Sequence, residues 1–276
     1  MIHQEQFSLV GAAGKTICGD LTYDDKNTNT PLVIFIHGFK GFKDWGTHNL
    51  VARYFVQNGY RYLKFNLSHG GVSQDQLHDV TDLKAFANNT ISKEMIDVDI
   101  IIDHSLKFLG TDKVFLIGHS RGGGLGILQA ANHPHVKGLI TWSAIADFSS
   151  LWKKEQEKEW LKTGKIEVLN ARTKEKMPLN VTLLQDFEDN REKLNILNAA
   201  KQINIPWLII QGDEDVNVPF ETAQKLADAN PASRLLKIKG ANHVYGAVHP
   251  YPGDSLPPHL LEVCEKSLKF LDSLWA

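Results

Sequence analysis

The stretch of sequence richest in chemistry is Gly118-His119-Ser120-Arg121-Gly122, followed by Gly123, Gly124 and a helix-compatible run from Leu125 to Ala131. It directly follows the apolar run Lys113 to Ile117. A serine between a strand and a helix sits on a tight bend: the residues two before and two after it must be small, and its hydroxyl projects from the sheet. The helix behind it aims backbone N–H groups at the same spot, favouring negative charge there. That is the chemistry of an oxygen nucleophile. A hydroxyl alone is a poor one; it needs a general base, and the base needs an acid to fix its tautomer. Among 12 histidines, position rather than type has to select the base. No H-E-x-x-H occurs, and Cys18 and Cys264 show neither metal-ligand spacing nor a disulfide framework. The sequence therefore implies no metal, no cofactor and free thiols in a reducing compartment.

The elements that must position the serine follow from hydrophobic periodicity. Six short apolar runs read as strands: Leu32 to Ile36, Tyr60 to Asn66, Lys113 to Ile117, Lys137 to Trp142, Pro206 to Gln211 and Arg234 to Lys239. Residues 5–10 and 16–23 alternate rather than cluster, and fit an antiparallel hairpin on the sheet edge. Between strands the helical period appears, as in Ile91, Met95, Val98, Ile102, Leu106 and Leu109 before Gly110, and in Leu50, Val51, Tyr54 and Phe55 before Gly59. These stripes read as core. Strands alternating with helices predict a mostly parallel sheet covered on both faces. From about 147 to 201 the alternation fails, and 13 of the 26 residues from Leu151 to Lys176 are charged. This segment reads as a cap-like insertion over the sheet's rim, helical around Leu151 to Lys162, with a loop containing Met177-Pro178-Leu179.

With the serine motif in its strand-turn-helix context, the chain resembles the α/β-hydrolase superfamily over nearly its full length. The resemblance implies one α/β-hydrolase domain over 1–276, with an eight-stranded, mostly parallel sheet, helices on both faces and the small helical cap. It also implies the chain order serine, acid, histidine. Gly212-Asp213-Glu214-Asp215-Val216-Asn217-Val218-Pro219 is similar to the family's G-x-x-D-x-x-V-P loop and aligns Asp215 with the acid. Asp213 and Glu214 are its rivals, with turn capping as their ordinary role. Gly240-Ala241-Asn242-His243 resembles the family's histidine loop and makes His243 the base, with Ser120 the nucleophile. The family's oxyanion donors fall on the backbone N–H groups of Phe39, in Ile36-His37-Gly38-Phe39, and of Arg121.

The expected reaction is ester hydrolysis through an acyl-enzyme, with a small-molecule ester and water as partners. The loop at 36–39, and Tyr245-Gly246 and His249-Pro250 after the histidine, resemble single-domain esterases related to cinnamoyl and feruloyl esterases and dienelactone hydrolases. A dienelactone hydrolase would carry cysteine at 120, where this chain has serine. His37, Trp142, Phe148 and Trp152 are candidate substrate contacts, joined by Phe39 and Trp160 as candidate walls of an acyl pocket; ordinary packing is the competing reading for each aromatic, and for His37 a hydrogen-bonded structural imidazole that shapes the loop is favoured over direct catalysis. The charged insertion argues against the greasy lid of a long-chain lipase and for small, soluble or aromatic esters. Two alternatives stand beside this: a serine peptidase or acyltransferase on the same scaffold, and a hydrolase-fold binding protein.

Composition narrows the partners. The formal charge is −2 and evenly spread, with 12 basic against 13 acidic residues over 1–130, so no basic stripe points to nucleic acid. The apolar runs fall far short of the roughly 20 residues that span a bilayer. Met1-Ile2-His3-Gln4-Glu5 lacks the basic-then-apolar order of a secretory signal. The expectation is a soluble, cytoplasmic protein without a membrane partner.

Overall fold

In the computed structural model, which describes every residue except 28, 74, 75, 77 and 276, the apolar runs become strands and the helical stripes pack on them. In chain order come β1 (Ile2–Val10), β2 (Thr16–Asp24), β3 (Leu32–Ile36), α1 (His48–Gln57), β4 (Arg61–Asn66), α2 (Leu83–Ala87), α3 (Ile91–Phe108), β5 (Val114–His119), α4 (Arg121–Asn132) and β6 (Val136–Trp142). Then follow α5 (Glu157–Thr163), β7 (Lys165–Leu169), β8 (Lys176–Asn180), α6 (Thr182–Asp189), α7 (Ile196–Gln202), β9 (Trp207–Gly212), α8 (Phe220–Ala229), β10 (Arg234–Ile238) and α9 (Pro258–Trp275).

Eight strands form one sheet in the order β1-β2-β4-β3-β5-β6-β9-β10. β1 and β2 make an antiparallel hairpin at one edge and β2 joins β4 antiparallel, while every later pairing is parallel. This is the α/β-hydrolase fold. The central strands lack alternation because both faces are covered: in β3, Leu32, Ile34 and Ile36 enter a core shared with α3, α4 and α8, and Val33 and Phe35 enter another shared with α1 and α9. Edge strand β1 is covered less, and its polar alternation survives. α3 begins where the Thr90 hydroxyl accepts from the Lys93 N–H at 3.3 Å, and Gly110, at φ +58°, lets the chain turn beyond its end.

The segment between β6 and β9 contains α5, α6 and α7 as well as an antiparallel pair, β7 with β8. Here the sequence expectation needs correcting: Met177-Pro178-Leu179 lies in a strand, not a loop. Ile166, Met177 and Leu179 are buried while Lys165, Glu167 and Lys176 stay in water, so charged residues in β7, and Lys176, Pro178 and Asn180 in β8, dilute the apolar signal. The hairpin is fastened by Trp160, fully buried, whose indole N–H donates to the Leu179 carbonyl at 2.9 Å. Among the described residues, no helix is long and apolar enough to cross a membrane. Because the strands from β4 to β10 in the sheet order run parallel, the loops after β3, β5, β9 and β10 all leave from the same edge, where such sheets present ligand sites.

Candidate active site

Ser120 joins β5 to α4 at φ +54° and ψ −117°, a strained conformation for a residue with a side chain. Its surroundings hold it there. The Ser120 N–H donates to the Trp142 carbonyl at 2.9 Å, and its own carbonyl accepts from Gly123 at 3.0 Å and Ile145 at 3.2 Å. The flanking glycines are steric necessities: a Cβ at 118 would lie 2.3 Å from the Gly122 carbonyl oxygen, and one at 122 would lie 2.1 Å from that of Ile36. Only a helix with glycines at 122, 123 and 124 in its first turn can come this close to β3, and that closeness aims its N-terminus at the serine.

Asp215 and His243 meet across the loops after β9 and β10, with Nδ1 of His243 2.7 Å from Oδ2 of Asp215. The carboxylate also accepts from Gln211 Nε2 on Oδ2, and from the Asn217 and Val218 amides on Oδ1, all at 2.9 Å. Burial works to raise this carboxyl, but the hydrogen bond and charge of His243, with the two amides, outweigh it and hold it below its ordinary 3.8. With Nδ1 donating to the acid, Nε2 is the acceptor nitrogen of the imidazole. His119 steadies the same loop: its Nε2 donates to the His243 carbonyl at 2.9 Å, and burial, with the neighbouring His243, holds it down at about 3 and neutral.

The loop after β3 rides on the serine bend, since a Cβ at Gly38 would lie 3.2 Å from that of Ser120. Among the described residues, the backbone N–H groups of Phe39 and Arg121 have no acceptor in the protein. The Arg121 side chain ties the two together. Its guanidinium lies 5.1 Å from the Phe39 ring centroid and reaches the Gly38 carbonyl at 3.5 Å. It also pairs with Glu94 of α3 at 2.8 Å, both groups buried. Further along, Lys43 and Asp44 close a buried charge cluster with Asp20 of β2 and Lys64 of β4, and the Lys43 amide donates to Asn66 Oδ1 at 2.7 Å. The loop is thus pinned to the sheet at both ends.

A cavity of about 480 Å³ opens where these parts converge, and Ser120, His243, Phe39 and Trp142 are in its wall. The other expected contacts are turned away from it. His37 is buried, donates from Nδ1 to the Gly38 carbonyl at 2.9 Å and accepts the Leu67 N–H at Nε2, so it shapes the loop; burial and the Arg121 charge hold it at about 4. Phe148 packs on Gly124 of α4. Trp152 stacks edge-on against Trp160 and Phe187, inside the core that the cap shares with the sheet. In their place the wall includes Trp45, His48 and Tyr245 from the main fold, and Asn170 to Arg172 from the turn between β7 and β8. That turn was hidden with the hairpin itself; Trp45 and His48 carry no motif that separates them from core aromatics, whereas Tyr245 belongs to the Tyr245-Gly246 pair after the histidine. His249 is a staple: it accepts the Gly46 N–H at 2.8 Å, donates to the His78 carbonyl at 3.1 Å and stacks on Trp45. Asp213 caps a turn, accepting the Gly240 N–H at 2.6 Å. Among the described residues, no group of three or more His, Cys, Asp or Glu side chains is arranged to hold a metal ion.

Comparison with known proteins agrees with this fold. Residues 31–164 match the family described as alpha/beta hydrolase fold. A Haemophilus influenzae protein that carries the provisional name esterase/lipase is 23% identical over 249 residues, spanning 80% of this chain and 80% of that protein. Est1E from Butyrivibrio proteoclasticus is similar with a TM-score of 0.71 over 98% of both chains, at 19% identity, and a second structure of it holds ferulic acid. The alpha/beta hydrolase GrgF from Penicillium sp. sh18 has a TM-score of 0.69 over 98% of both chains, at 17% identity.

Proposed function

We propose that this chain, which has the α/β-hydrolase fold, is a serine carboxylesterase acting on small, soluble or aromatic esters. The observation that carries the reading is the 2.7 Å Asp215–His243 pair sharing one cavity with a serine held at positive φ. Ser120 Oγ attacks the acyl carbonyl as His243 Nε2 takes its proton, and Asp215 stabilises the imidazolium. The unpartnered amides of Phe39 and Arg121 receive the oxyanion. His243 then returns the proton to the departing alcohol, and water, activated by the same imidazole, releases the acid. The neutral His48 and His119 and the aromatic Phe39, Trp45 and Trp142 give the cavity a mainly uncharged wall suited to a small aromatic group. Ferulic acid in Est1E supports the aromatic preference.

A panel of short acyl, aryl and hydroxycinnamoyl esters, assayed beside Ser120→Ala and His243→Ala, tests this. Each variant is expected to lose on the order of 10³-fold or more in kcat on whichever ester is cleaved. Wild type no faster than Ser120→Ala on every ester would reject the assignment.

A further inference from the structure

The charge in the cavity wall has one sign. Lys40 and Arg172 line it, and among the described residues no aspartate or glutamate does. Lys40 follows Phe39 directly, so its ammonium comes from the loop that carries one of the two free amides. It donates to the Leu169 carbonyl at 3.1 Å and lies 5.5 Å from the Phe39 ring centroid. Among the described residues no carboxylate pairs with it, and burial without a compensating acid holds its pKa down. An ammonium has three N–H groups, so donors remain for a ligand. Arg172 comes from the β7–β8 turn, three residues beyond Leu169, and spends part of its guanidinium on Asp79. Among the described residues, the two cations and that one carboxylate leave the rim with a net charge of +1.

Resting on the esterase reading, we infer that the cavity selects esters carrying a single carboxylate remote from the bond cleaved, received by Lys40 and the remaining N–H groups of Arg172. A half-buried cation without a counter-charge is stabilised by an anion that enters its site. The rim's single net charge fits a monoanion better than a phosphate dianion, which would bring one uncompensated charge into a half-desolvated site. The cavity, at about 480 Å³, has room for an aromatic acid bearing one such group.

The test compares carboxylate esters with their neutral carboxamide isosteres in two series. One places the group on the alcohol side, para-(acetoxymethyl)benzoate against para-(acetoxymethyl)benzamide; the other places it on the acyl side, the monobenzyl ester of terephthalate against its amide. Wild type is expected to prefer the carboxylate by about tenfold in kcat/KM in at least one series, the scale of one charge-assisted contact at a half-buried site. Lys40→Met, which keeps a long side chain at the same backbone conformation, and Arg172→Gln are each expected to cut that ratio about fivefold. Salt is expected to lower it in wild type. A ratio near one in both series overturns the inference. So does a Lys40→Met variant that slows both members of a pair equally, because that is the signature of a lysine that only latches the hairpin or assists the oxyanion. Turnover of neither series, with every other ester also inert, would instead remove the esterase reading beneath it.

Discussion

Replacing Asp215 with asparagine is the substitution whose consequence the geometry fixes most tightly. The carboxylate faces four donors: Gln211 Nε2 and His243 Nδ1 on one oxygen, and the Asn217 and Val218 amides on the other. An amide has one oxygen to offer. The two backbone N–H groups cannot rotate away, so that oxygen stays with them and the new NH₂ confronts Gln211 and His243, donor against donor. The imidazole escapes by moving its proton from Nδ1 to Nε2, and Nε2 is the nitrogen that must take the proton of Ser120. Loss of the correct tautomer in a Ser-His-Asp triad costs about 10⁴ in kcat, or about 5 kcal/mol of transition-state stabilisation. The assay is kcat on the best ester of the panel, with thermal melts to show that the variant is folded. Asp213→Asn is the control: it keeps an oxygen for the Gly240 N–H and is expected to stay within about twofold, as surface substitutions do. Asp215→Asn within tenfold of wild type, or a larger loss in Asp213→Asn, would refute the assignment of the acid.

Other expectations follow from the same contacts. Gly122→Ala drives a Cβ into the Ile36 carbonyl, so it should abolish activity and lower Tm by about 6–12 °C, from roughly 3 kcal/mol of backbone strain. Gly126→Ala on the same helix meets only side-chain ends, Leu139 at 3.2 Å and Ile36 at 3.9 Å, and should stay within about 1 kcal/mol of wild type. Burial pushes Glu94 up to about 7 from 4.5, against Arg121 and Asn89 and alongside the like charges of Asp97 and Asp186. The folded state therefore holds this proton more tightly than the unfolded chain, and its contribution is full below pH 4.5 and lost as pH rises through 7. Glu94→Gln should flatten the fall of Tm across that window, and an unchanged slope would contradict the assignment. Lys64→Met strips a partner from the buried Asp20 and Asp44, and should cost about 3–5 kcal/mol in denaturant melts.

What the sequence made legible was whatever is local. The strand-turn-helix around Ser120 lies within twenty residues, and its glycines are required by clashes that any such bend produces. Strand positions came through because the central strands are buried on both faces. Asp215 and His243 are singled out by a resemblance that rests on their places after successive strands, and the structure brings their side chains within 2.7 Å. What stayed hidden depends on the direction in which a side chain points. Phe148 and Trp152 are as apolar as Trp142, yet only Trp142 meets the cavity, because composition does not separate a wall from a core. The Asp20, Lys43, Asp44 and Lys64 cluster is spread over 45 positions and has no spacing to betray it. The β7–β8 hairpin does have a period-2 pattern, but alternate charged residues and Pro178 mask it, and with it went the turn that brings Arg172 to the rim.

The central claim, that Ser120 is a nucleophile activated by His243, is tested most directly by covalent labelling. The protein is treated with a fluorophosphonate, its intact mass recorded over time, and the adduct mapped by peptide sequencing. The expected result is one adduct per chain, on Ser120, absent from Ser120→Ala and formed at least about 10³ times more slowly in His243→Ala. No adduct, an adduct on another residue, or equal labelling of wild type and His243→Ala would contradict it.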